Sequence, residues 1–275
     1  MTTWVLSACR NRAAITSRFL DQLAAQGTGG LHLLMVDDGS EDRTPAILAA
    51  ESRFRISTIR GDGSLYWGGS MRLAMSRAKQ LGAAPGDSVL FSNDDVLLPP
   101  RFVESGNLLL ERNPGCMVLA TGVSTRDGSV FERGQIIGPW RLSPRPPRPG
   151  EAPNCAPTRG LFIAWRDAER VGLFAASSLP HYLSDYDWTM RAVRLGIAIR
   201  VHDELRILVD VERSGQHGLG DTRGRHCWRR IHSRTYASNP EFLVRFAGRN
   251  LGPLRGACEL LWQSAVCTLA FIRRS

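Results

Sequence analysis

Lysine is almost missing from this 275-residue chain: Lys79 is the only one among 35 Lys and Arg residues. That absence excludes a phosphate-binding loop, which needs a lysine before Ser or Thr at the head of a helix. The glycine-rich, lysine-bearing N-terminal loop of nucleotidyltransferases is missing too, because "LSACRNR" has neither residue type. Arginine bias also follows from genomic base composition, so it does not by itself announce a function. The six cysteines (Cys9, Cys116, Cys155, Cys227, Cys258, Cys267) contain no CxxC pair. Neither a disulfide framework nor a zinc knuckle can be drawn from them. No apolar run reaches the ~20 residues that span a bilayer. The opening "MTTWVLSACRNR" enters a strand pattern at once and leaves no room for a signal peptide, which predicts a cytoplasmic, reducing setting.

What is present is an ordinary globular composition, 43% hydrophobic and 22% charged, with an unusual net charge of +9. The excess is C-terminal: from Val211 onward eleven arginines face four acids, a net +7. Such a tail suits an anionic membrane surface, phosphorylated substrates or nucleic acid. Aromatic and basic residues do not interleave in the RNA-binding manner, so nucleic acid is not expected as a partner.

Along the first half, short apolar runs alternate with helical spacing. "TWVLSA", "LHLLMV", "FRISTI" and "SVLFS" read as strands. Between them, residues 13–26 and 71–81 read as helices, and Thr44-Pro45 as an N-cap with proline at the first helical position. Strands separated by helices predict an α/β fold with a mainly parallel sheet covered on both faces. "CMVLATGV", "LFIA", "IAIRV" and "LRILVDV" add strands, and "DYDWTMRAVRLG" a helix closing at Gly196. The proline-rich "GPWRLSPRPPRPGEAPNCAP" reads as a long loop, either connector or lid. The terminal "CELLWQSAVCTLAFIRR" is either a core helix or one lying on a membrane with Trp262 and Phe271 inserted.

Chemistry is expected where strands end, because open parallel sheets bind ligands at the carboxyl ends of their strands. Three ends are polar together: "ACRNR", "VDDGS" and "SNDDVLLPP". "VDDGS" is either a strand-to-helix turn or a carboxylate reading a nucleobase or ribose. The adjacent acids of "SNDD" are either a solvated turn or ligands for magnesium or manganese, which prefer carboxylate oxygens and share substrate phosphates. "GDGSLYWGGSMRLAM" brackets Trp67 with glycines that allow close backbone approach. Asp185 and Asp187 open the "DYDWTMRAVRLG" helix, one as an N-terminal acid favoured by the dipole, the other free to act as a general base. Trp188 is a candidate sugar platform and Arg191 a candidate phosphate partner; His181 reads as a loop histidine.

In this order, "RNR", "VDDGS", "FSNDD" and "DYDWTMRAVRLG" resemble the family-2 glycosyltransferases of GT-A fold, over roughly residues 4–210. "GSLYWGGSMRLA" resembles a bacterial rhamnosyl- and galactofuranosyl-type subgroup. The resemblance implies a GT-A (Rossmann-like) domain over 1–240, with a nucleotide-binding half at about 1–115 and an acceptor half at about 116–240. A basic helical segment at 241–275, with membrane contact, would follow. It implies an inverting, metal-dependent hexosyl- or deoxyhexosyltransferase using a nucleotide-diphosphate sugar and a glycan or lipid-linked acceptor in cell-surface glycan synthesis, peripheral on the cytoplasmic membrane face.

By position, Asn11, Arg12, Asp38, Asp62, Trp67, Gly68, Gly69 and Asp94 would bind the donor. Asp95 would hold Mg2+ or Mn2+, and Asp185 would be the catalytic base. Asp187, Trp188 and Arg191 would serve acceptor or phosphate. Three departures stand out: Asn93 opens the acidic motif, Ser184 replaces the acid before the base, and QxxRW is absent, which argues against a processive synthase. The family's late metal-binding histidine has no clear counterpart; Asp210 and His217 are the candidates. Alternatives are a sugar nucleotidyltransferase and an inactive sugar-nucleotide-binding protein.

Overall fold

The computed structural model describes residues 1–27, 29–139, 142–210 and 239–272. Four strands of the first half, β1 (Thr3–Cys9), β2 (Leu31–Asp37), β3 (Arg55–Arg60) and β4 (Ser88–Phe91), lie parallel in the order β3-β2-β1-β4. Helices α1 (Ala13–Ala24), α2 (Thr44–Ala50) and α3 (Tyr66–Gln80) connect them. β1, β2 and β4 are buried on both faces, as a covered parallel sheet requires, whereas β3 at the edge is partly exposed. Trp4, Leu6, Val36 and Phe91 enter one core layer, under α3. Val5, Met35 and Leu90 enter the other, with Phe19, Leu20 and Leu23 of α1.

The sheet continues without a break into the second half, through β8 (Leu161–Ala164), β6 (Cys116–Ser124), β9 (Ala198–Val209) and β5 (Val96–Leu97). The direction becomes mixed here. β8 runs antiparallel to both β4 and β6, whereas β9 is parallel to β6. A short β7 (Val130–Glu132) hangs off β6. The two strands expected at "IAIRV" and "LRILVDV" are one long β9, kinked where its register against β6 shifts after Ala120. α4 (Phe102–Arg112) and α5 (Trp165–Val171) complete the covering layers with α6 (Ser184–Arg194).

The proline-rich segment forms no named strand; isolated bridges Gln135–Cys155 and Ile136–Arg145 pin it. Cys9, Cys116, Cys155 and Cys258 are free thiols. At the C-terminus α7 (Pro240–Leu251) buries Phe242 and Phe246 against Leu179 and Met190, and α8 (Pro253–Ile272) follows. Among the described residues no helix is long and apolar enough to cross a membrane. Residues 211–238, with His217 and six of the eleven C-terminal arginines, lie outside the described residues.

Candidate active site

The parallel register sets Cys9 beside Asp37 and Leu6 beside Phe91, so the polar ends of β1, β2 and β4 meet on one sheet edge. Hydrogen bonds then knit them together. The Asn11 N–H donates to Ser40 Oγ (2.9 Å), and Asn11 Oδ1 accepts from the Glu41 N–H (2.8 Å). Thr44 Oγ1 accepts from the Arg12 N–H (3.1 Å); Thr44 is thus the first residue of α2 rather than its cap, and its hydroxyl serves the neighbouring loop. Asn11, Tyr66 and Leu183 all hold positive φ, at 49°, 52° and 65°. Backbone strain of this kind concentrates where the surroundings over-determine a functional loop.

Arg12 reaches across the edge to the β4 acids. Its Nη1 lies 2.8 Å from Asp94 Oδ1 and 3.4 Å from Asp95 Oδ2, and Thr16 Oγ1 donates to Asp94 Oδ2 (3.2 Å). Asp94 is 1% exposed. Burial pushes its pKa up to about 6, with Arg12 pulling against that and Asp95 adding to it. Both Asp94 oxygens are thus occupied by protein partners, and the residue fixes Arg12. Asp95 differs. Its Oδ1 is enclosed without any partner. The two adjacent acids thus differ in how fully their oxygens are partnered.

Asp38 anchors the glycine loop. Its Oδ1 accepts from the N–H groups of Gly63 (2.9 Å) and Leu65 (3.3 Å), and Oδ2 from Tyr66 (2.9 Å). Whatever Asp38 does toward a base, it does while holding this loop. Asp62 sits exposed at the loop tip, accepting from the Ser64 N–H and hydroxyl. α3 starts at Tyr66, five residues before the expected Met71, so Gly68 and Gly69 are helical and buried. What comes close to Gly68 is main chain. Its N–H donates to Pro180 O (2.8 Å), and a Cβ there would meet Leu179 O at 2.7 Å.

This contact brings the 179–184 loop and the head of α6 onto the edge. Asp185 is half-buried; its Oδ2 accepts from the Thr158 N–H (3.3 Å), and its Oδ1 is shut off without a partner. Burial pushes its pKa up to about 6, against hydrogen bonds from Thr158 and Trp67 and the charge of Arg159. The Trp67 indole donates to Thr158 Oγ1 (3.0 Å), tying this tryptophan to the residue whose N–H bonds Asp185. A carboxylate that is ionised near neutral pH yet more basic than usual suits proton abstraction.

The family model for glycosyl transferase family 2 matches residues 4–165. The chain belongs to that family. No curated protein matches it in sequence. Among solved structures, S. aureus TarS superposes with TM-score 0.58 and 16% identity over 90% of this chain, which spans 43% of TarS. A shorter TarS form with UDP-GlcNAc gives 0.57 at 16% identity, over 90% of this chain and 72% of that one. A mannosyltransferase from Pyrobaculum calidifontis, in complex with GDP-Man and Mn2+, gives 0.57 at 16% identity over 97% and 80%. The fold is GT-A, and the protein is a glycosyltransferase.

Three expected acceptor or phosphate residues of this glycosyltransferase are already engaged within the protein. Trp188 is wholly enclosed, stacked on Phe174 at 5.3 Å with its indole donating to Gly172 O (2.7 Å). Arg191 donates to Val171 O (2.9 Å) and Leu173 O (3.0 Å). Asp187 faces α7, accepting from Arg249 Nε (2.9 Å) and Nη2 (3.2 Å) and from Asn250 Nδ2 (2.9 Å). Helical spacing explains the separation: residue 187 lies two positions, about 200°, around α6 from residue 185.

His181, read as a plain loop histidine, stands 5.8 Å ring to ring from Tyr66. Burial and then the Arg12 charge press its pKa down to about 4, so it is neutral here. Thr158, whose N–H bonds Asp185, carried no motif that could have singled it out.

Proposed function

We propose that the enzyme moves a hexosyl or deoxyhexosyl group from a nucleotide-diphosphate sugar to an acceptor hydroxyl, with inversion at the anomeric carbon. One observation carries this reading. Among the described residues, carboxylates with an enclosed, unpartnered oxygen are Asp95, Asp167 and Asp185. Asp167 lies on α5 and is paired with Arg170 at 3.0 Å, whereas Asp95 and Asp185 both stand on the loop edge. One is disposed toward a cation and the other toward a proton. Asp185 would accept the acceptor's hydroxyl proton as its oxygen attacks, a contribution typically worth ~10²–10⁴-fold. Asn11, Arg12, Asp38 and Asp62 frame the nucleotide, Arg12 offering positive charge to the diphosphate.

The donor set fits a hard divalent cation. Asp95 supplies an oxygen with no competing hydrogen bond. The antiparallel pair Val96–Val209 puts Asp210 one register step beyond, on the Asp95 side. An ion held by few protein carboxylates takes its remaining ligands from substrate phosphates. When bound, Mg2+ or Mn2+ supplies counter-charge to the departing nucleoside diphosphate. A thermal-shift panel of nucleotide sugars with and without Mn2+ tests donor and ion together. A true donor should raise Tm by mass action, more with Mn2+ than without. Asp95→Ala should lose the Mn2+-dependent part. A donor shift indifferent to both would remove the metal role.

The acceptor we propose is lipid-linked, met at the cytoplasmic membrane face during cell-surface glycan synthesis. The support is α8, which exposes Leu254 (79%), Leu261 (72%) and Trp262 (64%). Exposed apolar side chains on a helix in an arginine-rich segment suit an anionic bilayer surface. Leu254→Ser/Leu261→Ser/Trp262→Ser should lower co-sedimentation with phosphatidylglycerol vesicles several-fold while leaving Tm within a few degrees. Unchanged sedimentation would count against membrane contact.

A further inference from the structure

Asp185 stands on α6, whereas the loop anchored by Asp38 runs into α3; residues 156–160, just before β8, hold the two together. Thr158 is wholly buried there and binds both sides. Its N–H donates to Asp185 Oδ2 (3.3 Å), and its Oγ1 accepts from the Trp67 indole (3.0 Å). The segment is fixed on either flank of Thr158. Before it, the Ala156 N–H donates to Thr189 Oγ1 (3.0 Å), and that hydroxyl donates to the Asp185 carbonyl (2.8 Å). Residues 185 and 189 share one face of α6, so the segment meets the helix twice. After it, Gly160 donates its N–H to Phe91 O of β4 (2.9 Å) and accepts from the Ala120 N–H of β6 (3.0 Å). Gly160 does this at φ 72°, with Ala120 Cβ only 3.1 Å from where its own Cβ would stand, so glycine is needed on both counts.

Trp67 is equally constrained. It follows Tyr66, whose N–H donates to Asp38 Oδ2 (2.9 Å), and precedes Gly68, whose N–H donates to Pro180 O (2.8 Å). Its indole is therefore carried on main chain that is tied down at the neighbouring residue on each side.

We propose that Thr158 and Trp67 are positioning residues for Asp185: the Thr158 N–H sets the plane of the carboxylate, and the Trp67 indole fixes Thr158 to the head of α3. This rests on the reading of Asp185 as the base. An aspartate turns freely about two side-chain bonds unless an oxygen is held. Holding Oδ2 also places Oδ1, which has no hydrogen-bond partner, at a set distance from the Asp38 loop. Geometry of this kind matters to rate, since a displacement of about 1 Å can cost ~10²-fold.

The same contacts act on the charge of the carboxyl. Burial raises the Asp185 pKa to about 6, and the Thr158 N–H, the Thr158 hydroxyl, the Trp67 indole and the Arg159 charge all oppose the rise. Glu132 of β7 and Tyr186 of α6 feel the Asp185 charge in turn, and both are raised, by burial first. Substitutions at residues 67 and 158 leave Arg159, Glu132 and Tyr186 in place. A shift they cause then reports the hydrogen bonds rather than the surrounding charge.

The test needs no substrate. Label the full chain at aspartate Cγ with ¹³C, assign the Asp185 signal by its loss in Asp185→Asn, and follow its titration. Trp67→Phe and Thr158→Val should each move the midpoint up from about 6, because each removes support for the ionised form. The shift should be on the order of one unit, since two or three such bonds can bring a carboxylate below about 2. Thr158→Ser keeps the hydroxyl and should titrate near the wild-type value. Should Thr158→Val not fold, Trp67→Phe, which keeps an aromatic ring at a half-buried position, decides alone. A midpoint unmoved in the folded variants, or moved as far by Thr158→Ser as by Thr158→Val, overturns the inference. Full sugar transfer by Asp185→Asn would instead overturn the base reading, an outcome read separately from the titration.

Discussion

Asp185→Asn is expected to lose sugar transfer by ~10²–10⁴-fold while binding donor as the wild type does. Asparagine keeps the shape, and its carbonyl can still accept from the Thr158 N–H, 3.3 Å from Asp185 Oδ2. What goes is the negative charge that takes up a proton. Wild-type transfer should fall as pH drops below about 6, because protonated Asp185 cannot act as a base; the asparagine variant should lack that limb. Stability should change in the opposite sense. The carboxyl is raised in the folded protein from 3.8 to about 6, so the folded state binds its proton more tightly than the unfolded chain does. Its contribution is intact below pH 3.8 and is lost as pH rises to about 6. At pH 7.5 the variant should then be the more stable by on the order of 2 kcal/mol, read as a raised Tm. An inactive but stabilised enzyme is the signature of a carboxylate kept for chemistry. Near-normal transfer with donor bound would show that the proton goes elsewhere.

Asp187→Ala should have the contrasting effect. Its carboxylate is enclosed among Arg249, Asn250 and, at 3.6 Å, Arg191. Removing one member of a buried charge network leaves the cations uncompensated. Arg249 is partly solvated, so the cost is about 3 kcal/mol, at the low end for such a break. Tm should fall by roughly 6–10 °C, and α7 should become the first site of proteolysis. A chain so treated at a temperature where it remains folded should still transfer sugar. If Tm is unchanged and transfer is lost, Asp187 belongs to the site after all.

These two aspartates mark how far the chain could be read beforehand. Two residues apart in one motif, they cannot be told apart by type or spacing. Which one faces the loop edge depends on the rotation of α6, set by Trp188 stacking on Phe174 and by the docking of α7. Asp94 and Asp95 repeat the lesson. Adjacent acids at a strand end predict a cation site, yet only Arg12, arriving from β1, decides which of them is neutralised internally. The WGG stretch invited a ligand because glycine allows close approach; it does, but to the carbonyls of Leu179 and Pro180.

Local order needed no tertiary information. Apolar runs of strand length separated by helical periods dictate a parallel α/β half, since such strands must be covered on both faces. The same alternation puts the polar ends of β1, β2 and β4 on a common edge, where a ligand is expected; the reaction class came from the resemblance that "RNR", "VDDGS", "FSNDD" and "DYDWTMRAVRLG" carry together. Partnership was not legible. Thr158 and Asp185 lie 27 positions apart, and they meet only because the 158–160 turn is pinned to β4. Burial takes no account of sequence distance, and it raises the pKa of an ordinary carboxylate and makes an ordinary tryptophan core.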